Sequence, residues 1–487
     1  MTGFKDFKTL LITSLSAVAL ASCGGGGNAP ASPGEATGGG TGGGTGGGGT
    51  GGGTGTGAAA DCPTGTTNVG TVAAGTLRNC QLPAKVTGTL NLPLRAGTVY
   101  SVTGRVDVGD DMGGDAAAPK AGAVKGVLSV DAGVRLFGSA GLDYIVVNRG
   151  SQIFADGNAA QPIVFTSKQS IEGTTGVDSI GQWGGVVILG RANINNCPGT
   201  TPYGSATCEA QVEGTNAFFG GSSNTDNSGV LRYFRVQHSG FQILPNNELN
   251  GITLAGVGSG TTVDYVQVHN SSDDGIEWFG GTVNAKHLVL TGNDDDDLDT
   301  DSGFKGIVQF VIARKRANGG DRVFETSNAN NRQPASNPQF ANVTAIGRTG
   351  GNDIYVLNTG TDARLYNSVL TAPAASSVAC IDIDDAVTKA TFGSVYMSCP
   401  VAFREDSNVG AAAIQALFGA GANNTSNGTS TLTSDFINGA NENAVVATNL
   451  TAINPAFTAV TYIGAVRNSA DTWWLGWTCG LTSGSTC

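Results

Sequence analysis

Carboxylates crowd into one short part of this chain. Asp294, Asp295, Asp296 and Asp297 are consecutive, Asp299 and Asp301 follow, and Asp273, Asp274 and Glu277 lie just upstream. Side chains of this type, packed close, have three options. They can stay solvated as an acidic face. They can split into protonated and ionised members and work as general acid and base. They can also share a cation, and hard oxygen donors at close spacing favour Ca2+. We take these nine residues as candidate Ca2+ ligands, with a solvated acidic face and a catalytic carboxylate set as the alternatives.

All three options require the acids to meet in space, and a repeat in the sequence predicts that they do. Setting Thr262–Gly281 over Asn284–Gly303 with a shift of 22 places Val266 on Leu288, Val268 on Leu290 and Ile276 on Leu298. The same shift places Asp273 on Asp295, Asp274 on Asp296 and Glu277 on Asp299. A second shift of 22 puts Leu288 on Phe310, Leu290 on Ile312 and Asp299 on Asp321, and one turn back Asn250–Leu254 matches Asp274–Trp278 with a shift of 24. A period near 22 with short strands is the mark of a solenoid, and of a β-helix in particular. No single coil can bury its apolar face, so coils stack on one shared core. Side chains alternate along a strand. Val266 and Val268, Leu288 and Leu290, and Phe310 and Ile312 are therefore expected inside, with Tyr265, Gln267, His287 and Val289 outside. Coils about 4.8 Å apart turn equivalent acids into ladders. Two carboxylates about 5 Å apart repel by roughly 3 kcal/mol at an effective dielectric of 20.

Composition agrees with an all-β solenoid. The chain has 487 residues, 76 of them Gly, and only 13% are charged. That suits many short strands joined by tight turns. A formal charge of −12 and the lack of any basic stripe argue against nucleic acid as a partner.

The chain opens with a targeting pattern over residues 1–22. Lys5 and Lys8 precede an apolar run, Leu10–Leu20, too short for a stable membrane span. It ends in Leu20-Ala21-Ser22-Cys23, which resembles the lipobox of bacterial lipoproteins. That resemblance implies cleavage before Cys23, lipid on its thiol and amine, and, with Gly24 next, placement in the outer membrane. Several acyl chains hold a protein firmly on a membrane. Residues 23–60 are nearly all Gly and Thr and read as a flexible tether with an r.m.s. reach of about 35 Å.

Eight cysteines remain, in four sequence-local pairs: Cys62 with Cys80, Cys197 with Cys208, Cys380 with Cys399, and Cys479 with Cys487. An even count in an exported chain reads as disulfides, and neighbour pairing is the expectation. Residues 61–408 are expected to hold the β-helix with an N-terminal cap. Asn195 to about Gly221 reads as a stapled excursion from it. Residues 409–487 are expected to be a C-terminal capping region. It starts with a helix near Ala411–Phe418 and ends in a Trp cluster that plugs the last coil or a groove, with an aromatic platform for sugars or a partner as the alternative.

Three stretches carry a wider resemblance: Ile163–Ser167, Gln182–Ala192 and the Asp-rich repeat, joined by Tyr462–Ala465 and Trp474–Thr478. Together they resemble a family of bacterial outer-membrane lipoproteins. Its members look like right-handed parallel β-helices of the pectate-lyase type and are often associated with TonB-dependent outer-membrane transport. The resemblance implies fold and location, and it brings no catalytic residue set.

Three functions are therefore on the table. The main expectation is an outer-membrane-anchored lipoprotein, on the periplasmic or cell-surface face. It would bind an extended ligand or dock to a TonB-dependent transporter, with Ca2+ held by the acidic turns and no catalysis. The alternative is a Ca2+-dependent polysaccharide lyase, with Arg314, Lys315, Arg316 or Arg322 as base, or a glycoside hydrolase acting on acidic polysaccharide. A structural or adhesive surface protein is the third. The three histidines are scattered, and His238 and His269 read as a structural ladder.

Overall fold

The computed structural model describes residues 57–244, 247–482 and 485–487. The signal segment, Cys23 and all but the last few residues of the tether lie outside them.

Two long sheets wind through the chain. The first passes in order through Leu77–Gln81, Thr98–Ser101, Arg135–Gly138, Ile163–Ser167, Gly229–Gln237, Thr262–His269, Asn284–Thr291, Ile307–Arg314, Gln339–Ile346, Asp362–Thr371 and Lys389–Ser398. The second runs from Lys85–Val86 to Val401–Phe403. Neighbours in each sheet come from successive windings and pair in parallel, as in Thr262–His269 on Asn284–Thr291 and Ile276–Phe279 on Leu298–Asp301. This is a parallel β-helix. At its N-terminal end Thr67–Val72 folds back antiparallel on Leu77–Gln81 and forms the cap.

The early coils carry a third, short run of strands: Gly88–Leu92, Gly126–Val130 and Gln152–Asp156. That run merges with the first sheet at Gly229–Gln237. Ile153–Asp156 pairs with the first half of this strand and Ile163–Phe165 with the second. The two halves meet at Tyr233, whose φ is +46°. Later coils repeat this corner with Tyr265, His287, Phe310, Asn342, Asn367 and Ser394, all at positive φ. A left-handed aromatic residue is uncommon and costs energy. Stacking offsets it here: the rings of Tyr233 and Tyr265 are 4.5 Å apart, Tyr265 and His287 4.2 Å, and His287 and Phe310 4.8 Å. Further on, asparagines take over, and these enter the left-handed region more readily.

The corner decides which residues face inward. Leu288 pairs with Val311 and Leu290 with Ala313, a shift of 23 rather than 22. Val311 and Ala313 are in the core, whereas Phe310 stacks on the outer column and Ile312 belongs to an outer cluster. The expected inward pair of Phe310 and Ile312 is therefore off by one residue. The core itself is continuous from Cys80 at the first coils to Phe418 at the last.

All four neighbour disulfides form: Cys62 is bonded to Cys80, Cys197 to Cys208, Cys380 to Cys399 and Cys479 to Cys487. The first ties the start of the described chain to strand Leu77–Gln81. The third joins Ala379–Ile383 of the second sheet to Cys399, the residue that follows Lys389–Ser398 of the first. The fourth loops the chain end, Cys487, back to Cys479. The pair Cys197–Cys208 closes the excursion, and the fully buried Arg149 pins it. That guanidinium bonds Asp111 at 2.6 Å, Glu209 at 2.7 Å and the Gly220 carbonyl at 2.9 Å.

Helix Ala411–Gly419 closes the last coil, with Phe418 packed on Phe392 and Phe403. The remaining chain does more than plug an end. It returns along the outer face of the first sheet: Thr448 N–H donates to Asn367, Ala465 N–H to Thr344 Oγ1, and Gln267 Nε2 donates to the Cys479 carbonyl. Trp477 sits against Tyr233 and Tyr265. Gln267 and Val289, expected to face solvent, are buried beneath this segment.

Candidate metal centre

The acids sit in the turns that lead from the first sheet to the second, residues 270–275, 292–297 and 315–323, and on the strands that follow. Along those strands Ile276, Leu298 and Phe324 are core residues in register. Alternation then sends Glu277, Asp299 and Glu325 outward as one ladder. Asp299 therefore stacks on Glu325 and not on Asp321, because the turn before Phe324 is longer than its predecessors.

Three triads form in these turns. Carboxylate oxygens of Asp273, Asp274 and Asp295 lie within 4.8 Å of one another, as do those of Asp274, Glu277 and Asp299, and those of Asp295, Asp296 and Asp321. Asp274 belongs to the first two and Asp295 to the first and third, so the triads are linked. Asp274, Glu277 and Asp296 are buried. Close stacking requires Gly275, where a Cβ would meet Asn293 Nδ2 at 2.6 Å and the Asp297 carbonyl at 2.7 Å.

Hydrogen bonds fix the acids in place. The Asp296 N–H donates to Asp274 Oδ1 at 2.8 Å, Arg322 N–H to Asp296 Oδ1 at 2.8 Å, and Asn250 Nδ2 to Glu277 Oε2 at 2.6 Å. One Asp299 oxygen is buried with no partner among the described residues. The electrostatic cost is plain. Burial pushes the Asp273 carboxyl up to about 8, with Asp295, Glu248 and Glu213 adding to it. Burial and then neighbouring acids hold Asp274, Glu277 and Asp299 well above the usual range. Burial does the same for Asp296, against the pull of Lys315.

This donor set suits a hard cation. Two oxygens bound to one Ca2+ at about 2.4 Å stand at most about 4.8 Å apart. The triads meet that limit, and the orphaned Asp299 oxygen is a ready ligand.

The other candidates point elsewhere. Asp294 pairs with Arg316 and accepts from Gly320 N–H at 2.9 Å. Asp297 lies inside, accepting from Asn293 Nδ2 at 2.7 Å and facing Lys315 Nζ at 3.5 Å, and burial raises it to about 6. Asp301 accepts from the N–H groups of Ser302 and Ala329. It lines a recess of about 350 Å3 with Glu213 and Phe279.

Sequence reasoning placed Asp321 in the repeat without naming it as a ligand, and it did not single out Glu325 on strand Phe324–Thr326, nor Glu213 and Glu248. The last two arrive from the excursion and from the hairpin Phe241–Leu249, and both add negative charge to the triads. Desolvation raises Glu213 to about 7, opposed by the Glu248 backbone N–H and helped by the carboxylates of Glu248 and Asp295. The cysteine bracket marked the excursion, but nothing local marked where it folds. A further triad, Asp382, Asp384 and Asp406, lies on later coils.

Of the basic candidates, Arg314 pairs with Asp435, Lys315 with Asp297 and Arg316 with Asp294. Arg322 stands at the acids, bonding Asp321 at 3.0 Å and Glu325 at 2.6 Å. The histidines make separate contacts: His238 with the Ser179 carbonyl, His269 with Thr291 and His287 with Asp264. His269 aligns with Gln237, one residue off the ladder expected with His238, although the two rings touch edge to face at 5.7 Å.

A family model described as a pectate-lyase-like beta helix domain matches residues 86–478. No curated protein and no solved structure matches the chain.

Proposed function

The chain belongs to the pectate-lyase-like β-helix family, and from that premise we propose that it is a lipid-anchored binding protein of the outer membrane. Its rod binds an extended ligand or docks to a TonB-dependent transporter, and Ca2+ bound in the acidic turns holds its ligand face together. The observation that carries this reading is the linked set of triads, with more carboxylates than nearby cations can balance. The lipobox at Cys23 and the Gly/Thr tether supply the anchor. Solenoids use such regular faces for long ligands and partners. The test is affinity capture of the tagged full-length protein from detergent-solubilised outer membranes, with and without chelator. A transporter or acidic polysaccharide recovered in a Ca2+-dependent way supports the proposal, and recovery of the bait alone refutes it.

One observation favours a second reading. Arg322 lies beside the triads, and a cation next to a basic side chain is what a lyase needs to remove a proton beside a carboxylate. Burial disfavours its charge, but Glu325, Asp296 and Asp321 more than offset that and hold the guanidinium protonated. This makes it a poor base. Incubation with acidic polysaccharide and Ca2+, followed by absorbance of unsaturated product, separates the two readings.

A further inference from the structure

The turns that lead back from the second sheet to the first carry the opposite charge. Lys305, Arg364 and Lys389 line one groove of about 670 Å3, with Pro334 and Val387 as apolar lining and Asp362 as its one carboxylate. Among the described residues neither lysine makes an ion pair. The Lys305 ammonium stands 5.3 Å from the Tyr203 ring centre. Arg364 reaches Asp362 only at 3.8 Å. Asp385, just outside, already accepts from Gly360, Val387 and Thr388. A chain of net charge −12 thus presents a concave, cationic surface here.

The spacing of these cations selects a ligand. Arg364 lies on Asp362–Thr371 and Lys389 on the strand it pairs with in the next coil. Lys305 precedes Ile307–Arg314, two coils before Arg364. At about 4.8 Å per coil the three span roughly 15 Å along the axis. A compact phosphate meets one or two of them, whereas an extended chain with repeated anionic groups meets all three. Arg suits a carboxylate or sulfate through its planar fork, and Pro334 and Val387 offer apolar surface to the carbon faces of such a chain.

We propose that this groove is a second binding site, for an extended anionic oligosaccharide bearing carboxylates or sulfates, and that it works independently of the acidic turns. Calorimetric titration of the full-length protein with a hexameric oligouronate and a sulfated oligosaccharide of equal length tests it, in the presence of chelator. Binding is expected without Ca2+ and should weaken as salt rises. Arg364→Gln and Lys389→Gln should each lower affinity about tenfold, while Lys85→Gln, which removes a positive charge from the first coils, leaves it unchanged. Unchanged melting temperatures exclude misfolding of the groove variants. Absence of binding at low salt, binding that needs Ca2+, or binding only to anionic phospholipid vesicles overturns the proposal without touching the reading of the triads.

Discussion

Asp274 is the joint between two triads, so Asp274→Asn is the sharpest probe of the acidic turns. Its carboxylate stands within 4.8 Å of carboxylates on Asp273, Asp295, Glu277 and Asp299. Each such pair, with both members ionised, costs about 3.5 kcal/mol at 4.8 Å and an effective dielectric of 20. Protonation of neighbours lowers that figure, so one pair is a fair upper estimate for the net relief. Asparagine keeps the oxygen that accepts from Asp296 N–H. Unfolding entropy near 2.1 cal/mol/K per residue, over about 430 described residues, gives about 0.9 kcal/mol/K. Relief of one pair should therefore raise the melting temperature by about 4 °C in chelator. Saturating Ca2+ should close most of that gap. At a hundredfold excess over its dissociation constant, the ion stabilises the wild type by about 2.7 kcal/mol, or about 3 °C, and the variant by much less. Differential scanning calorimetry in chelator and in Ca2+ reads all four values. A variant that melts below the wild type in chelator, with equal Ca2+ shifts in both proteins, would refute the argument.

The pH dependence follows from the raised carboxyls. Their folded values lie above the unfolded ones, so the folded state holds extra protons from about pH 4 up to at least about 8, the value reached by Asp273. Stability in chelator should fall as pH rises through that window, and Ca2+ should flatten the curve of melting temperature against pH. Asp294→Asn should leave the Ca2+ shift intact, because Asp294 serves Arg316 and Gly320, whereas Asp295→Asn should reduce it; calorimetry compares them. Lys315→Ala strands the buried Asp297 and should cost about 3–5 kcal/mol, seen as a drop of roughly 3–6 °C in chelator, and should tighten Ca2+ binding because the lysine's charge also acts on Asp295 and Asp296. Removing the Cys197–Cys208 bridge should cost about 3 kcal/mol of local stability. It should also weaken Ca2+ binding as Glu213 loses its fixed approach, measurable by titration.

Much of this was legible in the sequence where the period is constant. The 22-residue shift placed Glu277 on Asp299 and Ile276 on Leu298, and the 24-residue shift placed Ile252 on Ile276, as the sheets pair them. The next winding broke the rule. One added residue before Ile307 and a longer turn before Phe324 moved Phe310 out of the core and replaced Asp321 with Glu325 on the ladder. Apolar pattern alone could not show this, because Phe310, Val311 and Ile312 are all hydrophobic and the left-handed corner decides which faces in. Glu213 and Glu248 were invisible for another reason. They reach the acids through tertiary folding of an excursion and a hairpin, which no repeat encodes. Gln267 and Val289 were misplaced because strand alternation gives two faces but says nothing of what later covers the outer one.

That cover has a consequence for the order of events at synthesis. Gln267, Val289 and Ile312 are made well before the residues that shield them, Phe436 to Cys479. Until then a nascent or prematurely stopped chain presents an oily strip on an otherwise finished rod, and exposed surface of this kind draws aggregation and proteases. Burial of this outer face therefore waits on a segment made after it.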